Sequence, residues 1–161
     1  MKYISRNTKA VIDLTALVHN YQYISSLAPQ SKTIAVIKAN GYEHGAVEVA
    51  KTLEAYVPAF AVAFVDEALT LRNAGIQSPI LVLEGPFQHS DFTIAIEQDL
   101  SLMLHTHEQI SWLKDNEDKY LGDVWLKVDT GMNRLGFRVD EISNVIASLN
   151  NKHHSKLVLC S

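Results

Sequence analysis

Lys38 closes the run Thr33-Ile34-Ala35-Val36-Ile37 and is followed, after Ala39, by Asn40-Gly41. An apolar run rich in β-branched residues that stops at a glycine-containing turn reads as a buried parallel strand leading into a loop and then a helix. Side chains alternate along a strand, so Ile34, Val36 and Lys38 share one face while Ala35 and Ile37 share the other. Lys38 therefore points where apolar residues point. Burial there disfavours the ammonium and raises the fraction of neutral amine that can attack a carbonyl, which is the chemistry of a Schiff-base lysine. The ordinary alternative is a lysine that snorkels to solvent from a strand end.

A second stretch, Val124-Trp125-Leu126-Lys127-Val128-Asp129-Thr130-Gly131-Met132-Asn133-Arg134-Leu135-Gly136-Phe137, carries charge in the same way. Alternation puts Trp125, Lys127 and Asp129 on one face and Val124, Leu126 and Val128 on the face that helices cover. Lys127 and Asp129 then form either a plain structural ion pair or part of a site. Arg134 lies just beyond, in a loop made compact by Gly131 and Gly136. It is either a solvated loop residue or a fixed cationic fork suited to a carboxylate or phenolate oxygen.

The elements that would position these groups follow a strand-helix rhythm. Apolar strands start near 33, 60, 80, 100, 124 and 157, after a short strand Ala10–Leu14 and a helix through Leu17, Tyr21 and Ile24 that Pro29 stops. Helices are expected over 45–57, 66–74, 91–98, 108–120 and 140–149, with a Thr106/Gln109 capping box opening the fourth and Asp140 capping the fifth. This is an α/β repeat, compatible with a closed eight-stranded barrel or an open doubly wound sheet. No G-x-G-x-x-G follows the early strands, which weakens a dinucleotide fold. In a barrel, Lys38 and Arg134 converge on the carboxyl-end face, where the βα loops gather. Six strands from Thr33 onward are too few to close such a barrel, and Leu157-Val158-Leu159-Cys160 would leave an unpaired edge. The expectation is one unit, 1–161, forming the N-terminal portion of a (β/α)8 TIM-type barrel that is incomplete at the C-terminus.

Composition narrows the partners. The 161 residues are 47% hydrophobic with a net charge of -4. No basic run offers a surface to nucleic acid or an anionic membrane, so a small molecule is the expected partner. Cys160 is the single cysteine, the start Met1-Lys2-Tyr3-Ile4-Ser5-Arg6 lacks the apolar core of a signal peptide, and no apolar run approaches the roughly 20 residues that span a bilayer. A cytoplasmic location is expected. His153 and His154 have no carboxylate or thiol at ligand spacing, and no metal is expected.

The block Ile37-Lys38-Ala39-Asn40-Gly41-Tyr42-Glu43-His44-Gly45 resembles the alanine racemase signature V-K-A-N-A-Y-G-H-G, whose lysine carries pyridoxal 5'-phosphate. It departs in having Gly41 for an alanine and Glu43 for a glycine. Asp129-Thr130-Gly131-Met132-Asn133-Arg134-Leu135-Gly136 is similar to the same family's D-T-G-M-x-R-x-G, and the likeness extends over essentially the whole chain, Val11-Ile12-Asp13-Leu14 and Leu17-Val18-His19-Asn20 included. The resemblance implies interconversion of L-alanine and D-alanine, a supply of D-alanine for peptidoglycan, and a homodimer as the full-length protein. It gives Lys38 the catalytic and cofactor-holding role and sets Tyr42 beside the cofactor phosphate. Arg134 would contact the cofactor ring oxygen and the substrate carboxylate, the Met132 main chain would approach the substrate, and Lys127 matches a lysine that some members carbamylate. A noncatalytic pyridoxal-phosphate-binding barrel module and a broader-specificity amino-acid racemase are the alternatives.

Racemisation needs a second acid/base on the face opposite the lysine, because one group returning its own proton preserves configuration. In the family that role falls to a tyrosine of a C-terminal β domain acting across the dimer, and nothing here matches it. The isolated 161-residue chain is therefore expected to racemise alanine no faster than free cofactor does. Chiral chromatography of incubated L-alanine checks this, and turnover well above that background would contradict it.

Overall fold

The computed structural model describes residues 8–149 and 156–161. Short aliphatic runs form parallel strands: β1 (Ala35–Val36), β2 (Phe60–Val62), β3 (Ile80–Val82), β4 (Leu100–Leu104), β5 (Val124–Asp129), β6 (Phe137–Arg138) and β7 (Leu157–Cys160). Neighbours pair in sequence order from β1 to β5, and β5 then pairs with β7 along Val124–Lys127 and with β6 at Val128 and Asp129. The helical segments are α1 (Leu14–Leu27), α2 (Lys38–Tyr42), α3 (Ala46–Leu53), α4 (Val65–Asn73), α5 (Asp91–Glu97), α6 (His107–Asp115) and α7 (Ile142–Ser148). With a helix between successive parallel strands, except β5 and β6, which a loop joins, this is a partial TIM-type barrel.

The strand pattern sorts the core into two layers. Phe60, Val62, Ile80, Val82, Leu100, Leu102, Leu104, Val124 and Leu126 are buried against the helices. The opposite face holds a smaller cluster, Ala61, Leu81 and Met103, with Ile34, Leu83, Trp125 and Cys160 packed against it. β5 shows the alternation plainly, Val124, Leu126 and Val128 buried and Trp125, Lys127 and Asp129 half-buried. Cys160 is half-buried at the edge of the inner cluster.

The amino ends of the strands are clamped separately. Arg72, at the end of α4, donates to the carbonyls of Ile76, Ser78, Gln98 and Asp99, tying α4 to the entries of β3 and β4. The buried Tyr120 hydroxyl lies 2.9 Å from the Leu100 carbonyl and 3.1 Å from that of Asp123.

Several expectations are corrected. Ala10–Leu14 is not a strand: Val11 and Ile12 are exposed, and Asp13 accepts the Thr15 and Ala16 amides as the N-cap of α1. A carboxylate that satisfies orphan helix amides competes with extended pairing, and this one does so. The lysine strand is pared to two residues, although the Ile37 amide still reaches the Ala61 carbonyl at 2.8 Å. α6 ends at Asp115, not at Tyr120. Asp140 does not cap α7; its carboxylate pairs with Arg138 at 3.0 Å, and Glu141 occupies the cap position. β6 was not expected, and His153 and His154 lie outside the described residues.

The link from β1 to α3 is unusual. Ala39, Asn40, Gly41, Tyr42 and Glu43 all have φ between 51° and 66°, so α2 is a turn of left-handed helix, closed by the Glu43 amide on the Ala39 carbonyl at 3.0 Å. Each non-glycine residue there brings Cβ too near the following carbonyl, at roughly 1–2 kcal/mol. Glu43→Gly is therefore expected to stabilise the fold, by about 0.5–1 kcal/mol once the larger unfolded-state entropy of glycine is subtracted. The denaturant midpoint measures it, and a lower midpoint than that of the unsubstituted chain would contradict the strain argument.

Candidate active site

Lys38 leaves the sheet at the carboxyl end of β1. Ile37 before it is buried in the outer core, whereas Lys38 is half-buried and Val36, on the same face, is exposed. The parity expected from sequence holds, but the face is an open wall and not a sealed interior. On β5 the same parity turns Lys127 inward, level with Cys160 of β7.

Beyond β5 the chain turns through Thr130–Gly136. One oxygen of Asp129 accepts the Gly131 amide at 2.9 Å and the Asn133 amide at 3.0 Å. This is an Asx-type turn, and it holds the segment that carries Met132 and Arg134. Donation from the Asn133 and Gly131 amides, with smaller help from the Met132 amide and the charge of Lys127, keeps the Asp129 carboxyl below the usual carboxylate range. The ion pairs found among the described residues lie elsewhere, so Asp129 serves the loop and not a Lys127 pair. At Gly136 (φ 124°) a side chain would collide with the backbone of Lys127, Val128 and Asp129, so only glycine lets the loop return so closely to β5.

These turns bring Lys38, Lys127, Met132 and Arg134 to a single cavity of about 280 Å³, with Leu83, Glu84, Met103 and Asp129 among the other residues of its wall. Arg134 also borders an adjoining hollow with His105 and Asn133. Two cationic side chains, Lys127 and Arg134, and the Lys38 amine at a strand end can hold an anionic carbonyl compound: the lysine amine for the carbonyl, the arginine fork for an oxyanion. Tyr42 is not brought there. It is exposed, and it lines a groove formed by α1, β1 and α3.

Sequence reasoning missed the residues that hold the neighbouring loops. Gln109, in the first turn of α6, accepts the His105 amide at 2.8 Å and donates to the Glu84 and Pro86 carbonyls at 3.2 and 3.1 Å. Its capping role was legible; its cross-link to the preceding loop was not. Asp91 accepts the Phe87 and Gln88 amides, and Glu67 accepts those of Ala63 and Phe64. The signal was present in each case as an acidic or amide residue in a helix first turn. Glu84 and His105 are joined through the Glu84 carbonyl and the imidazole Nε2 at 2.9 Å. Among the described residues no three His, Cys, Asp or Glu side chains come together as a metal site, and no helix is long and apolar enough to cross a membrane.

Comparison with known proteins gives a consistent answer. Residues 12–160 match the family model described as alanine racemase, N-terminal domain. An alanine racemase of Alteromonas mediterranea is 42% identical over 142 residues, which cover 88% of this chain and 40% of that protein. The crystal structure of biosynthetic alanine racemase from Pseudomonas aeruginosa superposes with a TM-score of 0.87 at 37% identity, covering 92% of this chain and 42% of that one. The structure of alanine racemase from Acinetobacter baumannii gives 0.86 at 35% identity, with the same coverage. The chain thus spans about two fifths of the length of the proteins it matches.

The depressed Asp129 carboxyl has a consequence for pH. Because its folded value lies below the unfolded one, its support for the loop is fully present above about pH 4 and is lost as pH falls through the folded value. The Gly131 and Asn133 amide resonances are expected to hold steady above about pH 4 and to titrate together below it. In Asp129→Asn that titration should vanish; its persistence would mean that another group controls the loop.

Proposed function

The chain belongs to the alanine racemase family through its N-terminal domain, and we propose on that footing that it is the lysine-bearing part of a pyridoxal 5'-phosphate-dependent alanine racemase. The observation that carries this reading is the convergence of Lys38 and Arg134, far apart in sequence, on one cavity with Lys127 and Met132. The donor set fits the cofactor, which offers an aldehyde to an amine, a phenolate to a cationic fork and a dianionic phosphate to a basic surround. When bound, pyridoxal phosphate supplies an electron sink that lets the α-carbon of an amino acid give up its proton.

The chain's own groups do the rest. Lys38 is the residue whose amine would hold the cofactor, and as a free amine it would be the base that takes the α-proton from one face, or the acid that delivers one to that face in the reverse direction. Arg134 orients the substrate carboxylate and the cofactor ring oxygen, held by a loop that Asp129 pins. Met132, in the same loop, brings its main chain to the substrate. Lys127, half-buried beside the cavity, is the proposed carbamylation site, where conversion to an anion would orient Arg134. Tyr42 keeps its proposed place beside the phosphate on the motif alone. Alanine as substrate, D-alanine supply for peptidoglycan, a homodimer and a cytoplasmic location belong to the same proposal.

Incubation of the chain with pyridoxal phosphate, reduction with borohydride and peptide mass mapping tests it. A dominant phosphopyridoxyl adduct on Lys38, exceeding those on Lys32 and Lys127 and absent from Lys38→Ala, is expected. Labelling spread evenly over the exposed lysines would count against a selective cofactor site.

A further inference from the structure

Glu67 stands outside the cavity, yet its carboxylate reaches the lysine's own backbone. One oxygen accepts the Ala39 amide at 2.6 Å; the other accepts the Ala63 amide at 2.7 Å and lies 3.3 Å from the Phe64 nitrogen. The Ala39 N–H belongs to the peptide that joins it to Lys38, at the point where the chain quits the ladder and enters the left-handed turn. A strand no longer pairs that group, and Glu67 does.

We propose that Glu67 is a positioning residue for Lys38, fixing the Lys38–Ala39 peptide and with it the direction in which the lysine side chain leaves the backbone. The proposal rests on the cofactor reading above and extends it. Gln109 supplies the internal comparison, since it holds the same first-turn place on α6. Its Oε1 accepts two amides of its own loop, as Glu67 does, while its Nε2 donates to carbonyls of the loop before. The preceding loop presents carbonyls to Gln109 and an N–H to Glu67. An amide suits the first and an acceptor-only carboxylate the second. Asp91 accepts only within its own loop. Of the three, Glu67 alone touches the lysine's peptide.

The consequence is geometric. Covalent capture of a carbonyl needs the amine on a narrow approach, and a misplacement of about 1 Å can cost on the order of 100-fold. Glu67→Gln keeps length and shape, and its one acceptor oxygen can still serve Ala63 and Phe64. Its NH2 group then faces the Ala39 N–H, donor against donor. Gln109→Glu is the matched control, setting a carboxylate oxygen against the Glu84 and Pro86 carbonyls without touching the Lys38 peptide.

The test measures the rate of borohydride-trapped labelling of Lys38 relative to Lys32 in the full chain, beside the denaturant midpoint. Glu67→Gln is expected to slow Lys38 labelling by about ten-fold or more while leaving Lys32 unchanged. Gln109→Glu should lower the midpoint to a similar degree yet keep the Lys38 rate within about two-fold of the unsubstituted chain. If Glu67→Gln does not fold, Glu67→Asp replaces it: one methylene short, it retains the charge and cannot span both loops, and it should slow Lys38 alike. A Lys38 rate unchanged by the Glu67 variant overturns the proposal, as does an equal slowing in Gln109→Glu, which would mark a general effect of instability. Failure of the unsubstituted chain to label Lys38 selectively overturns the cofactor reading itself and this inference with it.

Discussion

At the carboxyl edge of the sheet every strand stops, and the backbone groups beyond it have no ladder partner. An unpaired amide or carbonyl beside a half-dry cavity is costly, so the placement of these groups constrains everything built there. The chain meets the constraint with one device, used repeatedly: a side chain from the start of the following helix turns back to accept the amides at the strand exit. Glu67, Asp91, Gln109 and Glu141 each do so. The device also suits the helix, whose N-terminus favours negative charge and acceptors. Because Glu67 and Gln109 continue into the preceding loop, they stitch adjacent loops sideways. At Gly85 (φ 66°) a Cβ would fall against the Met103 carbonyl and the Gln109 amide, so the closeness of that seam dictates the residue.

The seam matters because the sheet's inner face is thinly filled. Ala61, Leu81 and Met103 make a small cluster where the outer face buries Phe60, Leu100, Leu102 and Leu126. Space left above that cluster is the cavity, and its rim carries Lys38, Lys127 and Arg134 against Glu84 and Asp129. The formal charges at that rim leave one net positive. One oxygen of Asp129 accepts the amides of its own loop. What remains is a basic concavity with an amine at its wall, which draws an anionic ligand before any specific contact forms.

Much of this was legible in the sequence, for identifiable reasons. Strands starting at Phe60, Ile80, Leu100, Val124 and Leu157 are short apolar runs bounded by turn residues, as strands covered by helices tend to be. The parity of β5 followed from alternation alone. Val11 and Ile12 carried the same local signal without a strand to pair with, and Asp13 turned the segment into a helix entrance. β6 is two residues long, too short for any period to show. Asp129 was read as a charge facing the interior when the following glycine and asparagine already marked it as an Asx acceptor. The partners of Glu67 and Gln109 in the preceding loops are contacts at long sequence separation, which no local pattern encodes.

The handedness of the turn after Lys38 is the hardest feature to read, because no residue in it demands that turn. Asn40 and Gly41 tolerate left-handed backbone, but Ala39, Tyr42 and Glu43 resist it. Strain of this kind persists only where the surroundings over-determine it. Here the Asn40 side chain accepts the Ala46 amide at 3.1 Å, the Gly41 amide reaches the Ile37 carbonyl at 2.9 Å, and the Gly45 amide reaches that of Asn40 at 2.9 Å. Relative to the family pattern the turn has gained a glycine at Gly41 and lost one at Glu43, so the number of glycines is unchanged and only their position moves. Gly41 is buried, and a Cβ there would press to 3.2 Å on the Ala46 backbone. Relief therefore falls at the packed Gly41, and the residual strain falls on the exposed Ala39, Tyr42 and Glu43. A turn relaxed where it packs against α3 and strained where it meets water keeps its shape from packing, and Lys38, one residue upstream, takes its direction from that.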